Sequence, residues 1–282
     1  MTKEEQEQQQ IDNELENSNT SNEDTAKSHG EILKQQICEG QEVYKKNPLS
    51  ILVSSFTAGL EIGFSYLLLA SLFFFLQGKV AEDTAFKMLS FVYPFGFIMV
   101  IVGQSILFTE QTSLLTLPVL NKKQSLKNLL KLWGLVISGN LLGGWAMAGV
   151  LAWIGPKLHI FDVETISKIA IHVTDYNNWV ILVSAILAGW LMGLLSWVVT
   201  SSKDTISRIF IIYIITAVLS FAGLHHSIVG NVEVFAGLII PSELTIIDYA
   251  SFQAIALLGN AIGGAVFVAL LKYRAFVTNV KA

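Results

Sequence analysis

Three carboxylates and two histidines interrupt stretches that are otherwise apolar: Glu61, Glu110, Glu233, His225 and His226. An ionisable group carried to membrane depth is costly, so each marks a pathway or needs a buried partner. The histidines belong to Phe221-Ala222-Gly223-Leu224-His225-His226-Ser227, and imidazole is the side chain whose charge changes most easily near neutral pH. One of them could deliver a proton to a passing weak acid. Adjacent residues do not share a helix face, which assigns His226 to the pathway and His225 to packing or a subunit contact. A second polar stretch, Leu107-Phe108-Thr109-Glu110-Gln111-Thr112, sets hydroxyls and freed backbone N–H groups beside bulky apolar residues. Such a loop can constrict a pore while hydrogen-bonding a small solute. Glu61 and Glu233 fit equally well as buried partners for backbone or for a histidine. A remote alternative is a membrane metalloenzyme with its metal on His225, His226 and Glu233, which would need continuous helix from 226 to 233, and Gly230 argues against that. With no metal-binding or catalytic motif in the chain, no cofactor and no enzyme activity are implied.

The elements that carry these residues are membrane spans. Of 282 residues, 52% are hydrophobic and 14% charged, and the mean hydropathy is +0.56, too little polar surface for a soluble domain. About 20 apolar residues cross a bilayer as helix, which predicts six spans near Leu49–Leu76, Phe91–Leu120, Leu132–Ile154, Trp179–Thr200, Ile209–Ile240 and Phe252–Leu271. The second and fifth are too long for a simple span and carry the polar interruptions, so both read as broken helices, tolerated in lipid only where the unwound backbone is buried or lines a cavity. Lysines and arginines follow spans two, four and six (Lys122, Lys123, Lys127, Lys131; Lys203, Arg208; Lys272, Arg274, Lys281), placing those ends and both termini in the cytoplasm of a multi-pass cell-membrane protein. The opposite loops hold only Lys79, Lys87, Lys157 and Lys168. Residues 1–27 are acidic and polar and read as a disordered cytoplasmic tail. The start lacks the basic and apolar regions of a cleavable signal, so the first span is expected to direct insertion. Ser28-His29-Gly30-Glu31 has capping-box spacing and opens an amphipathic helix over 28–47 that can lie on the membrane surface. The six-helix domain then spans 48–274, and 275–282 form a cytoplasmic tail. The single Cys38 excludes an intrachain disulfide, and the absence of a basic recognition motif excludes nucleic acid as a partner.

The chain is also duplicated. Gly139-Asn140-Leu141-Leu142-Gly143-Gly144 returns 120 positions later as Gly259-Asn260-Ala261-Ile262-Gly263-Gly264, and the same offset maps Gly103 onto Gly223. Ala58-Gly59 and Gly63 recur as Ala188-Gly189 and Gly193 at an offset of 130. Three spans per half put the second copy upside down, an inverted repeat that encloses a pathway. The glycines serve close helix packing. Asn140 and Asn260 are amides at membrane depth that need partners, and tying down the broken backbone of a neighbouring span is the task that fits them.

Leu107-Phe108-Thr109, His226-Ser227-Ile228 and Gly259-Asn260-Ala261-Ile262-Gly263-Gly264, taken together and in order, resemble the formate/nitrite transporter family from about Ser28 onward. The resemblance implies an aquaporin-like all-α fold in a homopentamer, each protomer with its own pore for a small monovalent anion such as formate or nitrite. By position, His226 matches the family's central pore histidine and Thr109 the loop threonine that meets the solute. Leu107 and Phe97 match the cytoplasmic-side constriction, and Tyr93 and Leu219 the opposite one. The chain departs from the family pattern in three ways: His225 stands where Glu is common, the outer-vestibule lysine would fall near Val173 with Lys168 the nearest candidate, and Glu61, Glu110 and Glu233 replace uncharged residues. This pattern resembles a less-characterised branch. Ionised carboxylates near a pore repel anions, so either they are protonated or paired, or they select a neutral or cationic solute.

Overall fold

The computed structural model describes residues 2–18 and 27–280, and every regular element among them is helical. The acidic N-terminus, expected to be disordered, forms helix α1 (Lys3–Asn17) over most of its described length; residues 19–26 of that expected tail lie outside the described residues. Two features of the sequence account for the difference. Thr2 and Glu5 close a capping box, and Ile11 and Leu15, one turn apart, bury against Leu33, Ile37, Leu117, Tyr273 and Val277. The acids find basic partners in the turn after the second predicted span: Asp12 pairs with Lys123 at 2.7 Å, and Glu4 pairs with Lys122.

Helix α2 (His29–Lys45) starts at the Ser28 capping box as expected. The long helix α3 (Pro48–Leu76) is followed by short α4 (Glu82–Met88), then by α5 (Pro94–Val102) and α6 (Phe108–Leu120), the two pieces of the broken second span. Next come α7 (Leu126–Lys157), α8 (Val163–Thr174), α9 (Asn178–Ser201), and α10 (Thr205–Phe221) with α11 (Ser227–Leu238), the pieces of the broken fifth span. The last span is α12 (Ile246–Ile262), running through a π-helical stretch (Gly263–Leu270) into α13 (Leu271–Val280). The expected C-terminal tail is thus helical as far as Val280, because Val277 buries against α1 and α2. Among the described residues, five helical segments are long and apolar enough to cross a membrane, with α10 and α11 shorter. Trp153 and Trp179 are exposed, as interfacial anchors are, whereas Trp197 is buried beneath α2, 5.0 Å from the His29 ring.

α3 lies along α7, and α9 along α12. The crossings are close because Gly59 abuts the backbone of Asn140, Gly143 and Gly144, and Gly189 abuts that of Asn260.

Both breaks are built alike. In the first, Gln104 has φ +61°, and Ser105 N donates to Val100 O at 3.0 Å. In the second, Gly223 has φ +66°, and Leu224 N donates to Leu219 O at 3.1 Å. Each helix therefore ends in a left-handed residue that lets the chain reverse while its last carbonyls stay bonded. The true counterpart of Gly223 is Gln104, one residue beyond Gly103, so the breaks are related by 119 positions and the asparagines by 120. The amides then clamp the unwound chain. Asn140 Oδ1 accepts from Phe108 N (2.8 Å), and its Nδ2 donates to Ile106 O (2.9 Å) and Ser55 O (2.8 Å). Asn260 repeats this with Ser227 N (2.8 Å), His225 O (3.1 Å) and Ala185 O (2.7 Å). Asn140→Leu leaves the Ile106 carbonyl and the Phe108 N–H unpaired in a water-poor interior and removes the extra bond to the Ser55 carbonyl, and we expect a loss of about 2–4 kcal/mol. Thermal unfolding in detergent checks it, and Asn260→Leu should fall by a similar amount.

Candidate functional site

The clamps fix where two half-helices begin. Leu107 caps α6 with φ −101°, ψ 125°, and His226 caps α11 with φ −102°, ψ 121°, so the two residues are structural equivalents. One is apolar and the other titratable. His226 Nδ1 accepts from Val229 N at 3.2 Å, which leaves Nε2 to carry the ring proton and donate it to Thr109 Oγ1 at 2.7 Å. The Thr109 hydroxyl proton is then available to a third party. Phe97 stands edge-on to the His226 ring at 5.0 Å, and Tyr93 stacks on Phe97 at 5.3 Å. Leu107, Phe97 and Leu219 are fully buried and Tyr93 nearly so. Tyr93, Phe97, His226 and Thr109 therefore form one continuous contact chain. Since α6 and α11 both start at this chain, their partial positive ends converge on it, a setting suited to an anion.

On the α4 and α8 side, a cavity of about 530 Å³ reaches down to His226. Its floor is one face of α11, where His226, Gly230 and Glu233 follow one another. The glycine does not break the helix. It is small because a Cβ there would meet the Phe252 ring at 2.5 Å, so α11 runs unbroken and His226 and Glu233 share a face. Glu233 is buried, at 8% exposure. His225 is held apart from the pathway pair: its N–H donates to Ser184 Oγ (3.1 Å), Nδ1 meets the same hydroxyl (2.8 Å), and Nε2 meets Val173 O (3.1 Å). A carbonyl only accepts, so Nε2 carries the proton and His225 is a satisfied packing residue.

The three carboxylates are not gathered into one ring. Glu61 lies by the first break, its Oε1 close to Gly103 and its Oε2 buried without a hydrogen-bond partner. Glu110 accepts from Gln111 Nε2 at 2.6 Å, near Glu39 of α2 and Ser196 of α9. Glu233 alone lines the cavity. No group of three or more metal-ligating side chains converges among the described residues.

Lys168 is engaged by Glu164 at 2.8 Å and Glu82 at 3.9 Å, and the hydrogen bond it donates to Glu164 holds its ammonium above the usual lysine range. It does not line the cavity, whereas Val173 and Lys87 do, and Lys87 Nζ donates to Phe221 O at 2.7 Å. Lys87 carries no sequence signal beyond being one of few cations in the loops on that side. Equally unmarked is the chain from Trp145 Nε1 through Tyr249 OH to Asn231 Oδ1, both steps 2.6 Å, which pins α11 to α7 and α12.

An all-helical membrane fold with two half-helices meeting at a polar midpoint below a cavity defines a channel or transporter. Comparison with known proteins narrows the class. The formate/nitrite transporter family profile matches residues 30–274. The inner membrane protein YfdC of Escherichia coli is 30% identical over 242 residues, covering 83% of this chain and 74% of that one. An "FNT family ion channel" superposes with a TM-score of 0.78 at 22% identity, covering 86% of this chain and 98% of that one. A "pentameric formate channel with formate bound" gives 0.70 at 17% identity, with 82% and 98% covered. The chain belongs to the formate/nitrite transporter family.

At the cavity mouth, His172 stacks on Phe86 at 3.6 Å, and burial pushes its imidazole below the usual histidine range, against the opposing pull of Glu82 and Asp83. The folded state thus resists a proton that the unfolded chain accepts, so the stacking contribution is full above about pH 6.5 and is lost as pH falls below it. Protection factors for amide exchange in 82–88 and 163–174, corrected for the intrinsic rate at each pH, should fall between pH 7.5 and 5.5, and His172→Phe should flatten that response.

Proposed function

We propose that the protein conducts small monovalent anions of the formate or nitrite kind through a pore in each protomer of a pentamer, with proton assistance from His226. The observation that carries this reading is the 2.7 Å contact between Thr109 Oγ1 and His226 Nε2 where two half-helices begin. The fully buried apolar neighbours Phe97, Leu107 and Leu219 exclude a hydrated charge, so the solute passes as its neutral acid. His226 takes a proton at Nδ1, giving up the Val229 bond, and releases the Nε2 proton through the Thr109 hydroxyl to the anion. The head-on meeting of α6 and α11, together with their matched breaks, supports two inverted three-helix repeats. Docking of α1 against the 121–123 turn and against α13 (Gln8 Nε2 to Asn121 Oδ1 at 3.0 Å, Gln10 Nε2 to Val280 O at 3.2 Å) supports both termini lying on one side, and the lysine and arginine bias favours the cytoplasm of a cell membrane for that side. Pentamer formation is supported by the resemblance to the pentameric formate channel. Selection of a neutral or cationic solute by Glu61, Glu110 and Glu233 acting together draws no support from their separate positions.

In proteoliposomes, formate and nitrite flux should rise as the medium is acidified. His226→Phe should lower that flux at least tenfold at pH 6 and remove its pH dependence while leaving the oligomer intact by size-exclusion chromatography. Wild-type flux in that variant rules the mechanism out.

A further inference from the structure

Glu233 is the one buried carboxyl that the proposed conduction path leaves without a task. It is 8% exposed, lines the cavity, and makes no hydrogen bond or ion pair with any described residue. It follows His226 by seven residues on an uninterrupted helix, two turns along the same face and therefore about 10 Å away. A cavity of about 530 Å³ has room for several waters between the two groups.

The surroundings favour exchange of a proton over a fixed ion pair. The phenols of Tyr66 on α3 and Tyr93 at the start of α5 are near enough to feel the carboxyl's charge. From α8 comes His172, already stacked on Phe86, and from the loop before α11 come His225, already satisfied, and His226. The α4 side offers Asp83 and Lys87, the latter donating to Phe221 O. Tyr176 lines the wall after α8, α12 gives the cavity only Phe252, and α7 gives it nothing. Of the two carboxyls lining the cavity, Asp83 and Glu233, only Glu233 stands on the helix that His226 caps.

Resting on the conduction reading above, we propose that Glu233 is the proton-loading residue of the outer cavity, relaying protons through cavity water to His226. The cycle balances. A protonated Glu233 gives its proton through water to neutral His226, leaving a carboxylate and an imidazolium. The imidazolium passes its Nε2 proton to the anion through Thr109, a hydronium from the outer solution reprotonates the carboxylate, and a shift of the remaining ring proton from Nδ1 to Nε2 through water restores the resting tautomer and the Val229 bond. One proton enters with each anion, and Glu233 contacts the histidine's water chain rather than the solute, which makes it a positioned donor.

The test is formate uptake into proteoliposomes against external pH, with a lumenal dye reading co-transported protons, for wild type, Glu233→Gln and Glu233→Asp. Glu233→Gln should fall about tenfold at pH 6, with a flat pH profile and matching loss of lumenal acidification. Glu233→Asp, which keeps the acid, should retain the rise on acidification and the proton signal. A Glu233→Gln profile that parallels wild type overturns the proposal, as does an equal loss at every pH in both variants, which a structural role would produce. If Glu233→Gln does not assemble, Glu233→Asp alone decides: a flat profile in the assembled protein overturns the relay, and a retained slope with proton co-transport upholds it. Wild-type protein that moves neither formate nor nitrite removes the conduction reading, and the relay with it; wild-type flux with an unaffected Glu233→Gln removes the relay alone.

Discussion

Unwinding a helix inside a bilayer frees backbone groups that lipid cannot bond, and everything distinctive about this fold follows from how they are satisfied. Two asparagine side chains do it, each with one acceptor and two donor contacts to the broken strand and to a flanking helix. Because each amide joins the break to α3 or α9 as well, the start of each half-helix is fixed relative to the rest of the bundle. Thr109 and His226 inherit their 2.7 Å separation from that fixing. The glycines at the crossings serve the same end, since α7 and α12 must lie close to their partners for the amides to reach.

The protein handles its polar groups at depth in two ways. His225, Asn231 and Tyr249 are saturated by fixed neighbours and belong to the scaffold. His226 is also bonded through both ring nitrogens, to Val229 N and Thr109 Oγ1, but its Thr109 contact joins the two half-helix starts, and Glu233 lines the cavity without a fixed partner among the described residues. In the conduction reading proposed above these two are the working groups. The adjacent histidines differ because the cap position of α11 turns one to Thr109 and the other to Ser184 and Val173.

Much of this could be read from the chain. The long apolar helices, both breaks, the Ser28 box and the clamp role of Asn140 and Asn260 follow from polar residues in apolar surroundings, which only a few arrangements can satisfy. What escaped was decided by distant contacts. Gly230 looks like a breaker until Phe252 is found against it, and the acidic N-terminus looks solvated until the Lys122 and Lys123 turn and the Ile11–Leu15 stripe are placed together. The one-residue shift that pairs Gln104 with Gly223 was hidden because a glycine stood beside the position where the left-handed residue occurs. Lys87 had no pattern to give it away, since lining a cavity is a property of the fold around it.

The clamps touch backbone alone. Asn140 and Asn260 recognise N–H and C=O groups, and no contact reads the side chains at positions 107 and 226, which in this chain are a leucine and a histidine in matching conformations. The same backbone clamp thus accepts two different side chains at the half-helix starts, an apolar one in the core and an imidazole bonded to Val229 N and Thr109. Chemistry at these two central positions can therefore differ while the clamp is kept, one way for a single architecture to serve different solutes.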